Sequence, residues 1–256
     1  VNAAPVLYDV SDGIATITLN RPEKLNSLVP EAFELLASYS SQAQADDGVQ
    51  AIIITGAGDR AFSVGGDLGE IIPRATAGEN VVVLDPSKRF FSDVFKPVIA
   101  AVNGACIAGG FEIVLGTDLR IASAEATFGL AEVRVGVVPA AGTHVRLPRQ
   151  IPWAIAMQLL LTGEPIDAKR AHEVGLVNEV LPAADVVPRA REIAASIAQC
   201  GPVAVRTAKE IAVRAMALEP AFALEHVLAE RVFRSDDAKE GPLAFTQKRP
   251  PVFTGR

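Results

Sequence analysis

Two glutamates in this chain stand where a carboxylate is costly. Glu112 lies between Phe111 and Ile113-Val114-Leu115, inside the run PVIAAVNGACIAGGFEIVLGT from Pro97 to Thr117, and Glu132 sits in FGLAEVRVG. A carboxylate among such neighbours either reaches water or holds its proton more tightly. Two of them kept at separated proton affinities can divide acid and base work. Taken singly, each also reads as a partly exposed helix or loop acid.

Two glycine corners accompany these acids. Gly65-Gly66 and Gly109-Gly110 each follow a short apolar stretch and precede a helical pattern. The start of a helix offers unpaired N–H groups, and two that converge on one point form an oxyanion hole for a polarised carbonyl. Paired glycines are also common turn punctuation, and the residues alone leave both readings open. Glu112 follows Gly109 by about one helical turn, so one short helix would carry a donor and an acid. Asp67 reads as an N-cap, and Asp118 and Arg120 read as structural polar contacts at a strand start. His144 is the one histidine near these motifs and stays unassigned.

The composition narrows the class. The chain has 256 residues, half of them apolar, with 24 basic and 30 acidic side chains for a net charge of −6. That size supports one large domain with a substantial core, and the acidic balance disfavours bulk nucleic-acid binding. Cys106 and Cys200 form no CxxC pair, and His144, His172 and His226 form no metal-binding spacing, so neither a disulfide framework nor a metal site is expected. Two unframed cysteines fit a reducing cytoplasm. The first ten residues, VNAAPVLYDV, carry no basic start and apolar run of a secretory leader. The Pro97–Thr117 run is long enough to span a bilayer, but Asn103, Glu112 and its glycines point to a buried strand–turn–helix in a soluble protein.

The elements that must position these groups follow from periodicity. Val6–Val10 and Gly13–Asn20 alternate as a hairpin, and Pro30–Ala45 has helical spacing with proline in its first turn. AIIIT at Ala51–Thr55 and Val98–Val102 read as strands buried on both faces. The segment from Gly56 through Asp67 reads as a loop, and Ile72–Asn80 as a mobile one. Strands are expected near Leu119–Ala122, Ala126–Phe128 and Leu176–Val180. Helices are expected at Trp153–Leu161, Asp167–Val174, Ala184–Gln199, Val203–Leu218, Ala221–Arg234 and Ser235–Lys248. The alternation predicts an α/β fold with a partly parallel sheet that gives way to helices.

The stretch KPVIAAVNGACIAGGFEIVLGTDLRIASAEATFGLAEVRVG, Lys96–Gly136, closely resembles the enoyl-CoA hydratase/isomerase (crotonase) family. NRPEKLNSL, AFSVGGDL, LTGEPIDAKRAHEVGLVNEVLP and AFTQKR extend the resemblance in order along essentially the whole chain. The resemblance implies a spiral of ββα units over residues 1–195 that holds the active site. A C-terminal helical region, 196–256, would serve oligomerisation and coenzyme A contact. It implies oxyanion donors at Gly66 and Gly109 and catalytic Glu112 and Glu132. Contacts with the acyl-CoA substrate are implied for Lys24, Leu25, Val64, Asp67, Leu68 and Ala140, with Phe245 and Lys248 supplied by a neighbouring subunit. No separate cofactor is implied, since coenzyme A belongs to the substrate, and the assembly would be a homotrimer or a dimer of trimers. Isomerases of the family generally need only the second acid, so Glu112 favours hydration of a 2-enoyl-CoA. A specialised dehydratase, a Δ3,Δ2 isomerase and a non-catalytic acyl-CoA-binding protein are the alternatives. Three positions depart from the family pattern. Ala131 replaces a usual proline, Ala140 replaces a glycine, and Phe111 is bulkier than expected and should narrow the acyl pocket.

Overall fold

The computed structural model describes residues 4–79 and 85–255. Strands β1 (Val6–Ser11) and β2 (Ile14–Leu19) form an antiparallel hairpin, with Asp12 and Gly13 both at positive φ in its turn. Helix α1 spans Pro30–Ala45 and is followed by β3 (Ala51–Gly56), β4 (Ala61–Ser63) and α2 (Leu68–Thr76). Next come β5 (Val98–Val102), β6 (Ala105–Ile107) and α3 (Gly109–Leu115), then β7 (Leu119–Ser123) and β8 (Thr127–Gly129). A 3₁₀ turn at Ala131–Val135 leads to α4 (Thr143–Gln150), α5 (Trp153–Thr162), β9 (Ile166–Asp167), α6 (Ala168–Glu173) and β10 (Glu179–Leu181). Helices α7 (Ala183–Ala198), α8 (Pro202–Ala215), α9 (Glu219–Phe233) and α10 (Asp237–Thr246) complete the chain.

The strands form two sheets, ordered β1-β2-β3-β5-β7-β10 and β4-β6-β8-β9. Apart from the β1–β2 and β8–β9 pairs, all neighbours run parallel. Each turn of the chain therefore gives one strand to the first sheet, one to the second, and then a helical segment. This occurs as β3–β4–α2, as β5–β6–α3, and as β7–β8 with the 3₁₀ turn, a spiral of ββα units.

The two-residue period explains why the strand sequences are continuously apolar. Ile53, Ile99, Ala101 and Ile121 face α7 through Val186, Ala190 and Ala194, while Ile52, Ile54, Ala100 and Val102 face the main core with Phe62, Phe111 and Phe128.

Polar side chains make the crossovers between sheets. Asn103 follows β5, accepts the Gly56 N–H at 3.2 Å and donates to the Gly58 carbonyl at 2.8 Å. Its neighbour Gly104 is required, because an added Cβ would lie 2.4 Å from the Arg60 carbonyl oxygen.

Several expectations change. Leu68–Thr76 is helical where Ile72–Asn80 was read as a loop, with Pro73 inside it; residues 80–84 lie outside the described ones. Ala61–Ser63 and Ala105–Ile107, expected as loop and turn, are strands of the second sheet, too short to show a period. The last strand is Glu179–Leu181 rather than Leu176–Val180, because Arg120 captures the Leu176 carbonyl and the Asn178 side chain. The final helix runs over Asp237–Thr246, shorter than Ser235–Lys248.

Arg120 locks the far end of α3. Its buried guanidinium donates to the carbonyls of Val114 (3.0 Å), Leu176 (3.0 Å) and Thr117 (3.1 Å) and to Gln150 Oε1 (2.8 Å). These bonds satisfy carbonyls that the helix end leaves open. Arg120→Met should lower stability by about 3 kcal/mol, since it strips partners from several buried acceptors at once. Urea denaturation followed by far-UV dichroism measures this, and a change below about 1 kcal/mol would contradict the role.

Candidate active site

The first glycine corner follows β4. Gly65 has φ +86°, and a Cβ placed on it would lie 2.6 Å from the Ala108 Cβ and 2.8 Å from the Gly109 nitrogen. The second corner turns at Ala108, whose φ of 53° and ψ of −128° are strained for a residue with a Cβ, and Gly109 then opens α3. A Cβ on Gly109 would sit 3.7 Å from the Gly66 nitrogen, so the two corners bring their peptide groups together. Among the described residues neither the Gly66 nor the Gly109 N–H has a hydrogen-bond acceptor. Gly110 is fixed by packing, since its Cβ would meet the Ser63 carbonyl oxygen at 2.4 Å.

The segment 25–28 runs along the first corner. Val64 N–H donates to Leu25 O (3.2 Å), Leu28 N–H to Gly65 O (2.8 Å) and Asp67 N–H to Leu28 O (2.8 Å). Leu25, Val64 and Gly66 are thus brought together, with the exposed Lys24 at the end of a 3₁₀ turn, Pro22–Lys24, just outside. Asp67 precedes α2, accepts the Gly69 N–H at 3.2 Å and pairs with Arg21 at 3.3 Å, the N-cap geometry expected of it. Leu68, the first residue of α2, packs against the small apolar cluster of Val137 and Ala238. Phe245 and Lys248 lie exposed at the end of α10.

Helix α3 turns Glu112 inward, where it is buried. Its Oε1 accepts the Ala141 N–H at 2.7 Å and the Thr143 hydroxyl at 2.9 Å. The backbone donor on the carboxylate, Ala141, is the chain neighbour of Ala140. Ala140 is absent from the positive-φ residues, so replacing glycine there introduces no left-handed strain. Burial raises the Glu112 pKa to about 7, helped by the negative charge of Glu225, while the two donors and His144 pull it down.

Glu132 lies on the 3₁₀ turn Ala131–Val135, which contains no proline yet forms its turn. The residue is partly exposed, but its Oε2 is shut off from solvent and has no partner among the described residues. Burial raises its pKa to about 8, and the charge of Glu112 adds to the effect. The asymmetry has a clear cause. Glu112 has two donors to hold its ionised form, whereas no side chain or neighbouring loop donates to the free Glu132 oxygen, so the proton favours Glu132.

Sequence reasoning missed three contributors. Ala141 in the turn before α4 and Thr143 at its first residue act on Glu112, and Glu225 reaches the site from α9, within the region 196–256. The breakers Pro139 and Gly142 marked a turn there, but nothing local showed which way it faced. Phe111 does not narrow the site; it is fully buried in the core, edge-on to Phe128 at 5.6 Å between ring centroids. Among the described residues no group of three His, Cys, Asp or Glu side chains could hold a metal ion. No helix among them is long and apolar enough to cross a membrane.

A corner with two open N–H groups, near one buried and one half-buried carboxylate, has the groups that acid–base chemistry on a polarised carbonyl needs. The chain belongs to the enoyl-CoA hydratase/isomerase family, whose pattern it matches over residues 9–256. It is 38% identical to the (E)-benzylidenesuccinyl-CoA hydratase of Thauera aromatica, covering 98% of this chain and 99% of that one. The carnitinyl-CoA dehydratase of Proteus mirabilis is 37% identical, with 95% of each chain covered. The crystal structure of a carnitinyl-CoA hydratase from Mycobacterium avium superposes with a TM-score of 0.90 at 36% identity, covering 100% of both chains.

The raised carboxylates set a sign on stability. A glutamate whose folded pKa lies above its unfolded value makes the folded state bind more protons, so stability falls as pH rises from about 4.3 toward the folded value. For Glu132 the folded value is about 8. Glu132→Gln removes the penalty. Relative to the unsubstituted protein, its stability should improve by on the order of 2 kcal/mol between pH 6 and pH 9 in urea titrations. A difference independent of pH would show that the carboxylate is not held in this way.

Proposed function

We propose that the protein is a hydro-lyase that adds water across the double bond of a 2-enoyl-CoA thioester, or runs the reverse dehydration. The observation that carries this reading is the pairing of two open N–H groups, Gly66 and Gly109, with the unequal carboxylates Glu112 and Glu132. The thioester oxygen lies between the two N–H groups, which polarise it and hold the enolate that develops. Ionised Glu112 takes a proton from water as the water oxygen bonds to C3. Protonated Glu132 then gives its proton to C2 as the enolate collapses. One proton returns from Glu112 to Glu132 through water before the next turnover. Lys24, Leu25 and Val64, with Asp67 and Leu68 at the start of α2, flank the coenzyme A chain, and Ala140 borders the water.

Phe245 and Lys248 are available to the nucleotide end of a neighbouring subunit's substrate, Lys248 as a mobile point charge for phosphate. The exposed apolar stripe Leu224, Val227 and Leu228 on α9 supports assembly as a homotrimer or a dimer of trimers. A cavity of about 270 Å³ between α1 and residues 85–94 supports an acyl group larger than crotonyl. Phe33, Leu36, Phe90 and Phe91 line it, and Ala141, the donor to Glu112, forms part of its wall.

Purified protein should bleach the conjugated thioester absorbance of enoyl-CoA substrates. Medium-chain and aryl enoyl-CoAs should turn over with higher kcat/KM than crotonyl-CoA; no loss of absorbance with any chain would sink the reading. Glu112→Gln should lower hydration by about 10²-fold or more. If Δ3,Δ2 isomerisation proved the main activity and survived this change, the isomerase alternative would replace the hydratase. The pH dependence of kcat/KM should be a narrow bell, rising as Glu112 ionises near 7 and falling as Glu132 loses its proton near 8.

A further inference from the structure

Glu225 is a buried carboxylate on α9 that the hydration chemistry does not use, and it stands directly behind the donors of Glu112. Its Oε2 accepts Arg89 Nε at 3.0 Å, and its Oε1 accepts the His144 N–H at 3.1 Å and lies 3.3 Å from His144 Nδ1. His144 is the second residue of α4, next to Thr143, whose hydroxyl donates to Glu112. One helix start is therefore gripped by two carboxylates, Glu112 from inside the site and Glu225 from the C-terminal helices.

Arg89 closes the other side. It donates to the Phe222 carbonyl at 2.8 Å and to the carbonyls of Pro86 (3.0 Å) and Lys88 (2.7 Å), and it stacks over the Phe222 ring at 5.2 Å. A Cβ on Gly142 would lie 3.0 Å from its Cγ, so the turn that carries Ala141 and Thr143 rests on the arginine. Its side chain and that of Glu225 are nearly inaccessible.

We propose that Glu225 is a positioning residue for Glu112: through the His144 N–H and Arg89 it fixes the 141–143 turn whose two donors orient the catalytic carboxylate. The C-terminal helices thereby control the geometry of the acid on α3. The inference rests on the reading of Glu112 as the group that activates water. The charged and titratable groups facing Glu225 are Arg89 from residues 85–94, His144 and Arg146 from α4, and Glu112 from α3. His226, its neighbour on α9, turns instead to Glu230 at 3.6 Å. Removing the Glu225 charge takes away a repulsion on Glu112, whereas loosening the turn withdraws the two donors that hold its ionised form, so the two effects act on its proton in opposite directions.

The test uses the full chain. Glu225→Gln is compared with the unsubstituted protein for kcat, KM, the pH profile, and the infrared titration of the Glu112 carboxyl, assigned by its loss in Glu112→Gln. The expected result is a kcat at least tenfold lower, KM within about twofold, and an acid limb and infrared midpoint that do not fall, because the lost donors offset the lost repulsion. Unchanged kcat per folded molecule, or an infrared midpoint moved to lower pH as loss of the repulsion alone gives, would overturn the proposal. If Glu225→Gln does not fold, the double variant Arg89→Met/Glu225→Met removes both members of the buried pair and leaves no unpaired charge. The same loss of kcat is expected of it, and its absence counts against the proposal equally. The infrared midpoint needs no turnover, so a failure of the hydratase reading is seen in the unsubstituted protein and remains distinct from a failure of this one.

Discussion

Two carboxylates buried within reach of each other's charge repel, and burial removes the water that would screen them. Glu112 is buried, Glu132 is half-buried with one oxygen shut off from solvent, and the rest of the site follows from how the fold tolerates the pair. The protein supplies two hydrogen-bond donors to one oxygen of Glu112 and leaves the far oxygen of Glu132 bare. The donors favour the ionised form of Glu112 and leave the proton to favour Glu132. Two groups of the same residue type are thus distinguished by their donors.

The scaffold that allows this is the ββα spiral. Each turn places a strand end in the second sheet and then a helical segment, so two successive turns bring Gly65-Gly66 and Gly109-Gly110 against each other. The approach is close enough that a methyl group on Gly65 would collide with Ala108 and with the Gly109 nitrogen. Ala108 accepts a conformation better suited to glycine so that Gly109 can present its N–H. Arg120 ties down the far end of α3, and the donors from the turn before α4 hold its middle. A seven-residue helix has little stability of its own, and these contacts replace what its length cannot provide.

Much of this was legible in the sequence, for identifiable reasons. The strands buried on both faces announced themselves as unbroken apolar runs, Ala51–Thr55 and Val98–Val102, because both sheet faces are covered. Glu112 and Glu132 stood out as acids among apolar neighbours, and burial is what gives them their raised pKa values. What was hidden depended on contacts between distant segments. Glu225 looks like any helix acid between Leu224 and His226, and only the packing of α9 on α4 makes it part of the site. The three-residue strands Ala61–Ser63 and Ala105–Ile107 carry no readable period, and the long insertion between α2 and β5 concealed the repeat of the spiral. Phe111 shows the reverse error: its position beside Glu112 suggested the acyl pocket, but successive helical residues face different ways, and it belongs to the core.

The most direct test of the central claim is a titration of the substrate-free protein with ¹³C-labelled glutamate side chains, followed by NMR, with Glu112→Gln and Glu132→Gln assigning the two resonances. The pair is expected to hold between one and two protons at pH 7 and to release them in two overlapping steps near 7 and 8, with Glu132 the later to lose its proton. Two carboxylates that both ionise near the ordinary glutamate value of about 4.3 would contradict it.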